Sequence, residues 1–127
     1  EGILLIKALC GLGRVVSNVN IPNTFGQIVN LPRTALVETN ALFEKDAVRP
    51  VAAGTLPDAV KNLVTPHIEN HERILQAALT CDKELVVQAF LCDPLVKGKA
   101  CQEQDIRKLV DDMIENTLAY LPEGWKN

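Results

Sequence analysis

The spacing of hydrophobic residues changes halfway along the chain, and this change constrains the fold more than any other feature. Up to Val51, bulky residues alternate with polar ones, which predicts strands at Arg14–Ile21, Gln27–Val29 and Ala35–Glu44 and a return strand within Lys45–Val51. After Pro57, hydrophobic residues recur every three or four positions, as in amphipathic helices. We therefore expect an α+β fold, in which a small, mostly antiparallel sheet precedes a helical block.

The first segment, EGILLIKALCGLG, predicts an apolar helix that ends at Gly11 and Gly13. Its residues available for burial are Ile3, Leu4, Ile6, Leu9 and Cys10. A helix this apolar should be covered on more than one side. We therefore expect that the chain begins inside a larger protein, whose preceding part covers this helix.

The helical block contains three segments. Pro66 lies inside the first, so a kink or a break is expected near Thr65. Asp82 is placed to cap the second segment, which Asp93 and Pro94 end. The last segment lies within Cys101–Pro122 and carries one apolar stripe, formed by Ile106, Leu109, Val110, Met113, Ile114, Leu118 and Leu121.

Length, charge and cysteine spacing limit the class of protein. The chain has 127 residues, which suits one domain, and its formal charge of −3 gives no reason to expect a nucleic-acid or membrane partner. No apolar run is long enough to span a bilayer. The four cysteines lack CxxC spacing and follow no secretory signal, which indicates reduced thiols and a cytoplasmic location.

Two groups of residues could carry chemistry, and each has a simpler structural explanation. His67 and His71 lie four residues apart on a predicted helix, a spacing that can chelate a metal, but no third ligand is apparent. Cys81 lies between two helices, where a thiol can be activated, but no activating base can be identified. We favour the simpler interpretations. The two histidines are then polar residues on a helix surface, and Cys81 is a small hydrophobic residue in the core.

The stretch VNIPNTFGQIVNLP, Val19–Pro32, interleaves loop residues with strand residues. Asn beside Pro and Gly makes well-fixed turns, so a rigid corner between strands explains this composition. An amide also offers both a donor and an acceptor to sugar hydroxyls. The asparagines available for such contacts are Asn18, Asn20, Asn23 and Asn30.

Four segments in order, NIPNTFGQIVNLP, ALVETNALF, VRPVAAGTLPDAV and HIENHERILQAALTCDKELVVQAFLCDPLV, resemble the C-terminal region of family 4 glycoside hydrolases. The likeness covers nearly the whole chain, and VETNALF is most similar to the α-galacturonidase or α-glucosidase members. One departure is Cys81, where the family pattern implies a glycine suited to a left-handed helix end. The resemblance implies one C-terminal domain over Glu1–Asn127, resembling that of lactate/malate dehydrogenase-like proteins.

The same resemblance implies a parent enzyme with an N-terminal Rossmann domain that binds NAD and with Mn²⁺ held by a Cys and a His. In this family the sugar is oxidised at C3, the glycosidic bond breaks by elimination, and the hydride then returns, an exception to the two-carboxylate scheme. These catalytic, cofactor-binding and metal-binding groups lie upstream in family members, so none is expected in this chain. Only Asn20 and Asn23 are expected to face the pocket.

The resemblance therefore predicts the C-terminal domain of a glycosidase that hydrolyses O-glycosidic bonds by NAD-dependent oxidation and elimination. Alone the chain should be inactive, and in the parent it should supply active-site wall and an oligomer interface. Its expected partners are the Rossmann domain, further copies of the protein and the sugar substrate. One alternative is a stand-alone interaction module with an exposed apolar helix, and another is a small metal-binding domain that uses His67 and His71.

Overall fold

The computed structural model describes residues 1–98 and 102–126. Its contacts divide the chain into two compact units, Glu1–Asn62 and Leu63–Asn127, and each is described by itself. The prediction of one domain over the whole chain stays a prediction. Among the described residues, no helix is long and apolar enough to cross a membrane.

The first unit is a helix packed on a three-stranded antiparallel sheet. It contains α1 (Gly2–Leu9), β1 (Val15–Pro22), β2 (Leu36–Glu44) and β3 (Ala47–Pro50), and a short 3₁₀ turn at Asn23–Phe25 follows β1. The strand order is β1-β2-β3, with a register that places Val15 opposite Phe43 and Ala41 opposite Pro50. The predicted antiparallel sheet and its leading helix are confirmed.

The sheet has one inner face, set by the alternation along β2. Val37, Thr39, Ala41 and Phe43 are buried, whereas the residues between them are exposed or half-buried. The helix α1 meets this face through a core of Ala8, Ala41 and Phe43, flanked by Leu5, Leu9, Val15 and Val19. Leu5, Ala8 and Leu9 lie one turn apart, so they form a single stripe on the helix.

Of the five residues of the first segment that are available for burial, Leu9 packs against the sheet and the other four do not. Cys10 is exposed, as are Ile3, Leu4 and Ile6, whose exposed fractions are 73%, 57% and 63%. The reason is geometric, because a helix can present only one stripe to a flat sheet and this helix is apolar on both sides. The predicted stop at Gly11 is confirmed: its φ is 79°, and the Leu12 amide donates to the Lys7 carbonyl at 2.8 Å.

The expected strand at Gln27–Val29 is wrong. Ile28 forms only an isolated bridge with Gly54. The backbone around it is tied to the chain after β3, since the Ala53 amide donates to the Gln27 carbonyl and the Val29 amide donates to the Gly54 carbonyl. The aliphatic residues of this stretch therefore belong to a loop.

The second unit is helical, and α2 spans Asp58–Thr80 without interruption. Of the two alternatives expected near Thr65, a break is therefore wrong, and a kink stays a prediction. Pro66 removes one backbone hydrogen-bond donor, but the helix extends for two turns or more on both sides of it, and its remaining backbone hydrogen bonds keep it continuous.

The helix α3 spans Lys83–Cys92, and α4 spans Glu103–Thr117, followed by 3₁₀ turns at Leu118–Tyr120 and Glu123–Trp125. Asp82 caps α3 as predicted, and its side chain accepts hydrogen bonds from the Glu84 and Leu85 amides. The core consists of Val87, Ile106 and Val110, flanked by Val86, Phe90, Leu91, Val96 and Ile114. The stripe on α4 is narrower than predicted, since Leu109 and Met113 are exposed, and Cys101 lies outside the described residues.

The turn between α2 and α3 places Cys81 in the left-handed conformation, with a φ of 54°. The Asp82 amide donates to the Ala77 carbonyl at 3.2 Å, which completes a Schellman motif around Cys81. This is the position at which the family pattern implies glycine. A side chain in this conformation costs about 1 kcal/mol that glycine does not.

We therefore expect Cys81→Gly to raise the free energy of unfolding by about 1 kcal/mol, as read from urea denaturation. Cys81→Ala is the matched control, because it removes the thiol but keeps the strained backbone. An equal gain from both variants would assign the effect to the thiol instead.

Two ion pairs join α3 to α4 on the surface, Lys83 with Asp111 and Arg107 with Glu84. Arg107 donates to both Glu84 carboxylate oxygens at 2.7 and 2.9 Å, and also to Glu103. The hydrogen bonds from Arg107 and then from Gln88 lower the pKa of Glu84 from 4.5 to about 2, and the same pair raises the pKa of Arg107.

Because the folded-state pKa of Glu84 is depressed, its contribution to stability is complete above pH 4.5 and disappears as the pH falls towards 2. We expect the difference in urea midpoint between the parent protein and Glu84→Gln to be constant near neutral pH and to shrink across this window. Gln88→Ala, which removes the weaker donor, should give a smaller difference. A difference that did not change with pH would contradict this assignment.

Candidate functional site

Residues 23–34 form a loop whose backbone is held by the side chain of Asn23, and we call it the Asn23 loop. Asn23 has no exposed surface, and its Nδ2 lies 2.9 Å from the Ile28 carbonyl and 3.1 Å from those of Leu31 and Pro32. Its Oδ1 accepts a hydrogen bond from the Ile28 amide at 3.0 Å. One amide thus satisfies backbone groups along the whole loop, which confirms the rigid corner expected from Asn beside Pro and Gly.

Two further amides hold the ends of this loop. Gln27 is buried and donates to the Pro22 carbonyl at 3.0 Å. Asn30 makes a paired contact with Leu56, since it donates to the Leu56 carbonyl at 2.9 Å and accepts from the Leu56 amide at 3.0 Å. The loop is therefore fixed both to the end of β1 and to the segment that leads into α2.

The backbone at the tip of the loop favours a glycine. Gly26 has a φ of 71°, and a Cβ at this residue would lie 2.2 Å from Nη1 of Arg33. The same nitrogen donates to the Thr24 carbonyl at 3.1 Å, so the guanidinium lies directly over the glycine backbone. Phe25 beside it is 77% exposed.

A groove of about 480 Å³, lined by both apolar and polar residues, lies beside β2 in the first unit. Its lining residues are Asn18, Ile28, Glu38, Thr39, Asn40, Ala53, Gly54 and Leu56. The groove forms because β3 leaves β2 at this level: the Val51 amide still donates to the Asn40 carbonyl at 2.8 Å, and beyond Val51 the chain bonds to the Asn23 loop instead.

The groove offers several hydrogen-bonding groups and one carboxylate. The strand register places Asn18 opposite Asn40, and the Asn18 amide lies 3.5 Å from the Glu38 carboxylate. Two buried oxygens in this region lack a partner, namely Thr39 Oγ1, on a residue that lines the groove, and Gln27 Oε1. Amides beside a carboxylate can bind hydroxyl groups, but a single carboxylate supplies no acid/base pair.

The two asparagines expected to face a pocket differ in their surroundings. Asn20 is exposed on β1 opposite Glu38, and its position towards a sugar stays a prediction. The fully buried Asn23 holds the loop, so the structure gives its side chain no surface for a ligand. Asn18, Glu38 and Asn40 were not singled out together, because only the strand register brings them to one groove.

The described residues contain no group of three or more His, Cys, Asp or Glu side chains that could hold a metal. His67 and His71 are exposed on α2, and their spacing alone does not make a site. The described part of the chain therefore does not provide a donor set suited to Mn²⁺. The acids of α4 have structural roles, since Asp105 accepts from the Gln102 amide and Asp111 pairs with Lys83 at 2.6 Å.

Residues 1–96 match the C-terminal domain model of the family 4 glycosyl hydrolases. An α-galacturonidase of Lachnoclostridium phytofermentans is 64% identical over 125 residues, which are 98% of this chain and 27% of that protein.

Solved structures agree with this match. A putative glucosidase of Bacillus subtilis superposes with a TM-score of 0.81 at 47% identity, over 89% of this chain and 25% of its own. A 6-phospho-α-glucosidase from gut microorganisms, in complex with NAD and glucose-6-phosphate, superposes with a TM-score of 0.83 at 28% identity, over 95% of this chain and 26% of its own. The chain spans about a quarter of the length of these relatives. It belongs to the family 4 glycosyl hydrolases, in which it corresponds to the C-terminal domain.

Proposed function

We propose that this chain is the C-terminal part of an α-galacturonidase, an enzyme that releases galacturonic acid from an α-galacturonide. The observation that carries the proposal is the 64% identity with the α-galacturonidase of Lachnoclostridium phytofermentans over 98% of the chain. Identity falls to 34% with a probable 6-phospho-β-glucosidase of Bacillus subtilis. A uronic acid is therefore a better candidate substrate than a 6-phosphorylated sugar.

In the complete protein, a bound NAD would supply reversible oxidation of the sugar, and a bound Mn²⁺ would supply Lewis acidity. The described residues of this chain offer no metal-binding cluster, so the Mn²⁺ would be held by the preceding part of the polypeptide. The NAD would be held by the N-terminal Rossmann domain that the family resemblance implies. What this chain would add is a wall of the sugar pocket. The fixed Asn23 loop, together with the amides and the carboxylate of the groove beside β2, has the polarity that such a wall requires.

The proposal also assigns a role to the apolar surface of α1. Ile3, Leu4 and Ile6 lie on the side of α1 away from the sheet, and each is more than half exposed. Exposed aliphatic residues on one short helix indicate a covered surface in the complete protein. The Rossmann domain would cover it, and the complete enzyme would work in the cytoplasm.

The test is the activity of the complete protein on nitrophenyl α-galacturonide, with nitrophenyl α-glucoside and its 6-phosphate as controls. We expect cleavage of the galacturonide, dependence on added NAD and Mn²⁺ under reducing conditions, and no cleavage by the 127-residue chain alone. Full activity after NAD is removed would refute the mechanism. Faster cleavage of the 6-phosphorylated sugar would refute the substrate.

The alternative of a stand-alone interaction module makes the opposite prediction. It requires that no dinucleotide-binding segment of the GxGxxG type precedes Glu1 in the reading frame. The exposed apolar face of α1 is the observation in its favour. Sequencing upstream of Glu1 distinguishes the two proposals without any assay.

A further inference from the structure

The Asn23 loop carries an arginine that no acid neutralises. The other two arginines of the first unit, Arg14 and Arg49, both pair with Glu44, at 3.0 and 2.5 Å. Arg33 is exposed, and within residues 1–98 and 102–126 it pairs with no carboxylate. It donates to the Thr24 carbonyl at 3.1 Å. Because a guanidinium has five N–H donors, most of them remain available to a ligand.

The backbone on both sides of Arg33 is fixed. The Pro32 carbonyl accepts hydrogen bonds from the Asn23 side chain at 3.1 Å and from the Ala35 amide at 3.2 Å. The Ala35 carbonyl accepts in turn from the Asn23 amide at 2.8 Å. A side chain on such a backbone loses less conformational entropy when it binds a ligand than one on a mobile loop does.

Gly26 makes room for the guanidinium. Nη1, Cζ and Nη2 of Arg33 would all lie within 3.0 Å of a Cβ at Gly26, so the guanidinium occupies the space that a side chain would take. Phe25, the residue immediately before Gly26, is 77% exposed. A guanidinium and an aromatic ring therefore share the tip of one fixed loop.

These two groups suit the two parts of a uronic acid. A guanidinium binds a carboxylate through two parallel N–H···O bonds. The face of an aromatic ring is apolar and carries slight negative charge, which suits the C–H groups on one face of a pyranose. Galactose has the same C–H groups but a hydroxymethyl group in place of the carboxylate. Only the guanidinium would therefore distinguish the acid from the neutral sugar.

We propose that Arg33 binds the carboxylate of the galacturonide and so selects a uronic acid over the neutral sugar, while Phe25 packs against the sugar ring. This inference rests on the proposed function for the identity of the substrate, and it adds the residue that determines specificity. The carboxylate is remote from the glycosidic bond, so Arg33 acts in binding and not in the chemical step.

The first test compares Arg33→Gln with the parent in the complete protein supplied with NAD and Mn²⁺. KM for nitrophenyl α-galacturonide should rise on the order of 10- to 100-fold, because a charge-assisted pair of hydrogen bonds is lost. The kcat should change by less than about twofold, because the ground state and the transition state lose the same contact. Arg33→Lys keeps the charge but not the two parallel bonds, so its KM should be intermediate.

The second test measures binding without catalysis, by titration calorimetry of free sugars with the complete protein. Galacturonate should bind the parent at least about 10-fold more tightly than galactose, and Arg33→Gln should remove this difference. Phe25→Ala should weaken both sugars by a similar factor, because the ring contacts the part that they share. Arg14→Gln is the matched control, since its side chain is 74% exposed but pairs with Glu44, and it should bind both sugars as the parent does.

Unchanged KM and unchanged galacturonate affinity in Arg33→Gln would overturn the proposal, as would a parent protein that does not bind galacturonate. Tighter binding of galactose 6-phosphate than of galacturonate through Arg33 would also overturn it. All variants should keep the urea midpoint of the parent. A lowered midpoint with equal losses for both sugars would mean that Arg33 holds the loop and not the substrate. If the complete protein cleaves a different glycoside, the proposed function fails, whereas the titration with galacturonate still decides this inference.

Discussion

Replacing Asn23 with alanine is expected to lower the free energy of unfolding of the first unit by about 3 kcal/mol. The side chain is fully buried and bonds to the backbone of Ile28, Leu31 and Pro32. Alanine cannot replace any of these bonds, so the Ile28 amide and the Leu31 carbonyl would lose their partner. The Ile28 and Pro32 carbonyls would keep only their bonds from the Leu31 and Ala35 amides. Each buried polar group left unpaired costs about 1–3 kcal/mol, and water that enters the loop would recover part of this.

Asn20→Ala is the matched control, because Asn20 is an exposed asparagine only three residues earlier. Its effect should stay within about 0.5 kcal/mol. Hydrogen exchange at the amides of residues 15–56 would measure both variants in the first unit without any assumption about the second. If the two variants proved equally stable, the Asn23 loop would not depend on its central amide.

Phe43→Ala is expected to destabilise the first unit by about 3–4 kcal/mol. Phe43 is 6% exposed and is the largest side chain of the core that it forms with Ala8 and Ala41. Both buried neighbours are alanines, which are too small to fill the space that the ring leaves, and only the half-buried side chains that flank the cluster can relax into it. The cost should therefore include a cavity term as well as the lost burial.

Phe25→Ala is the corresponding control, since Phe25 is 77% exposed at the tip of the Asn23 loop. It should change the free energy of unfolding by less than about 0.5 kcal/mol. Urea unfolding followed by hydrogen exchange would compare the two. Similar losses for both residues would mean that α1 and the sheet do not depend on the ring of Phe43.

Several elements could be predicted because the residues that determine them are adjacent in sequence. Gly11 ends α1, Asp82 caps α3, and the return strand β3 lies within Lys45–Val51, as expected. The glycine of the family pattern left two possibilities at Cys81, a strained turn or a differently formed one, and the left-handed backbone there matches the first. In each case the deciding interaction spans only a few residues, so a local pattern is sufficient.

The errors concern residues whose environment depends on distant parts of the chain. Gln27–Val29 has the composition of a strand, but bonds from Asn23 and from Ala53 hold it in a loop. Ile3, Leu4 and Ile6 are hydrophobic enough for a core, but α1 meets the sheet through its other side. Hydrophobicity predicts that a residue prefers burial, and only packing decides which residues are buried.

The sequence by itself determined the α+β class, the ends of most elements and the family, because these depend on hydrophobic periodicity, capping residues and local motifs. Only the tertiary structure decided that Asn23 serves the loop rather than a ligand, and that Asn18, Glu38 and Asn40 share one groove. The physical reason is that an amide has the same donors and acceptor wherever it stands. Its role depends on which backbone groups and strands the fold brings within about 3 Å of it.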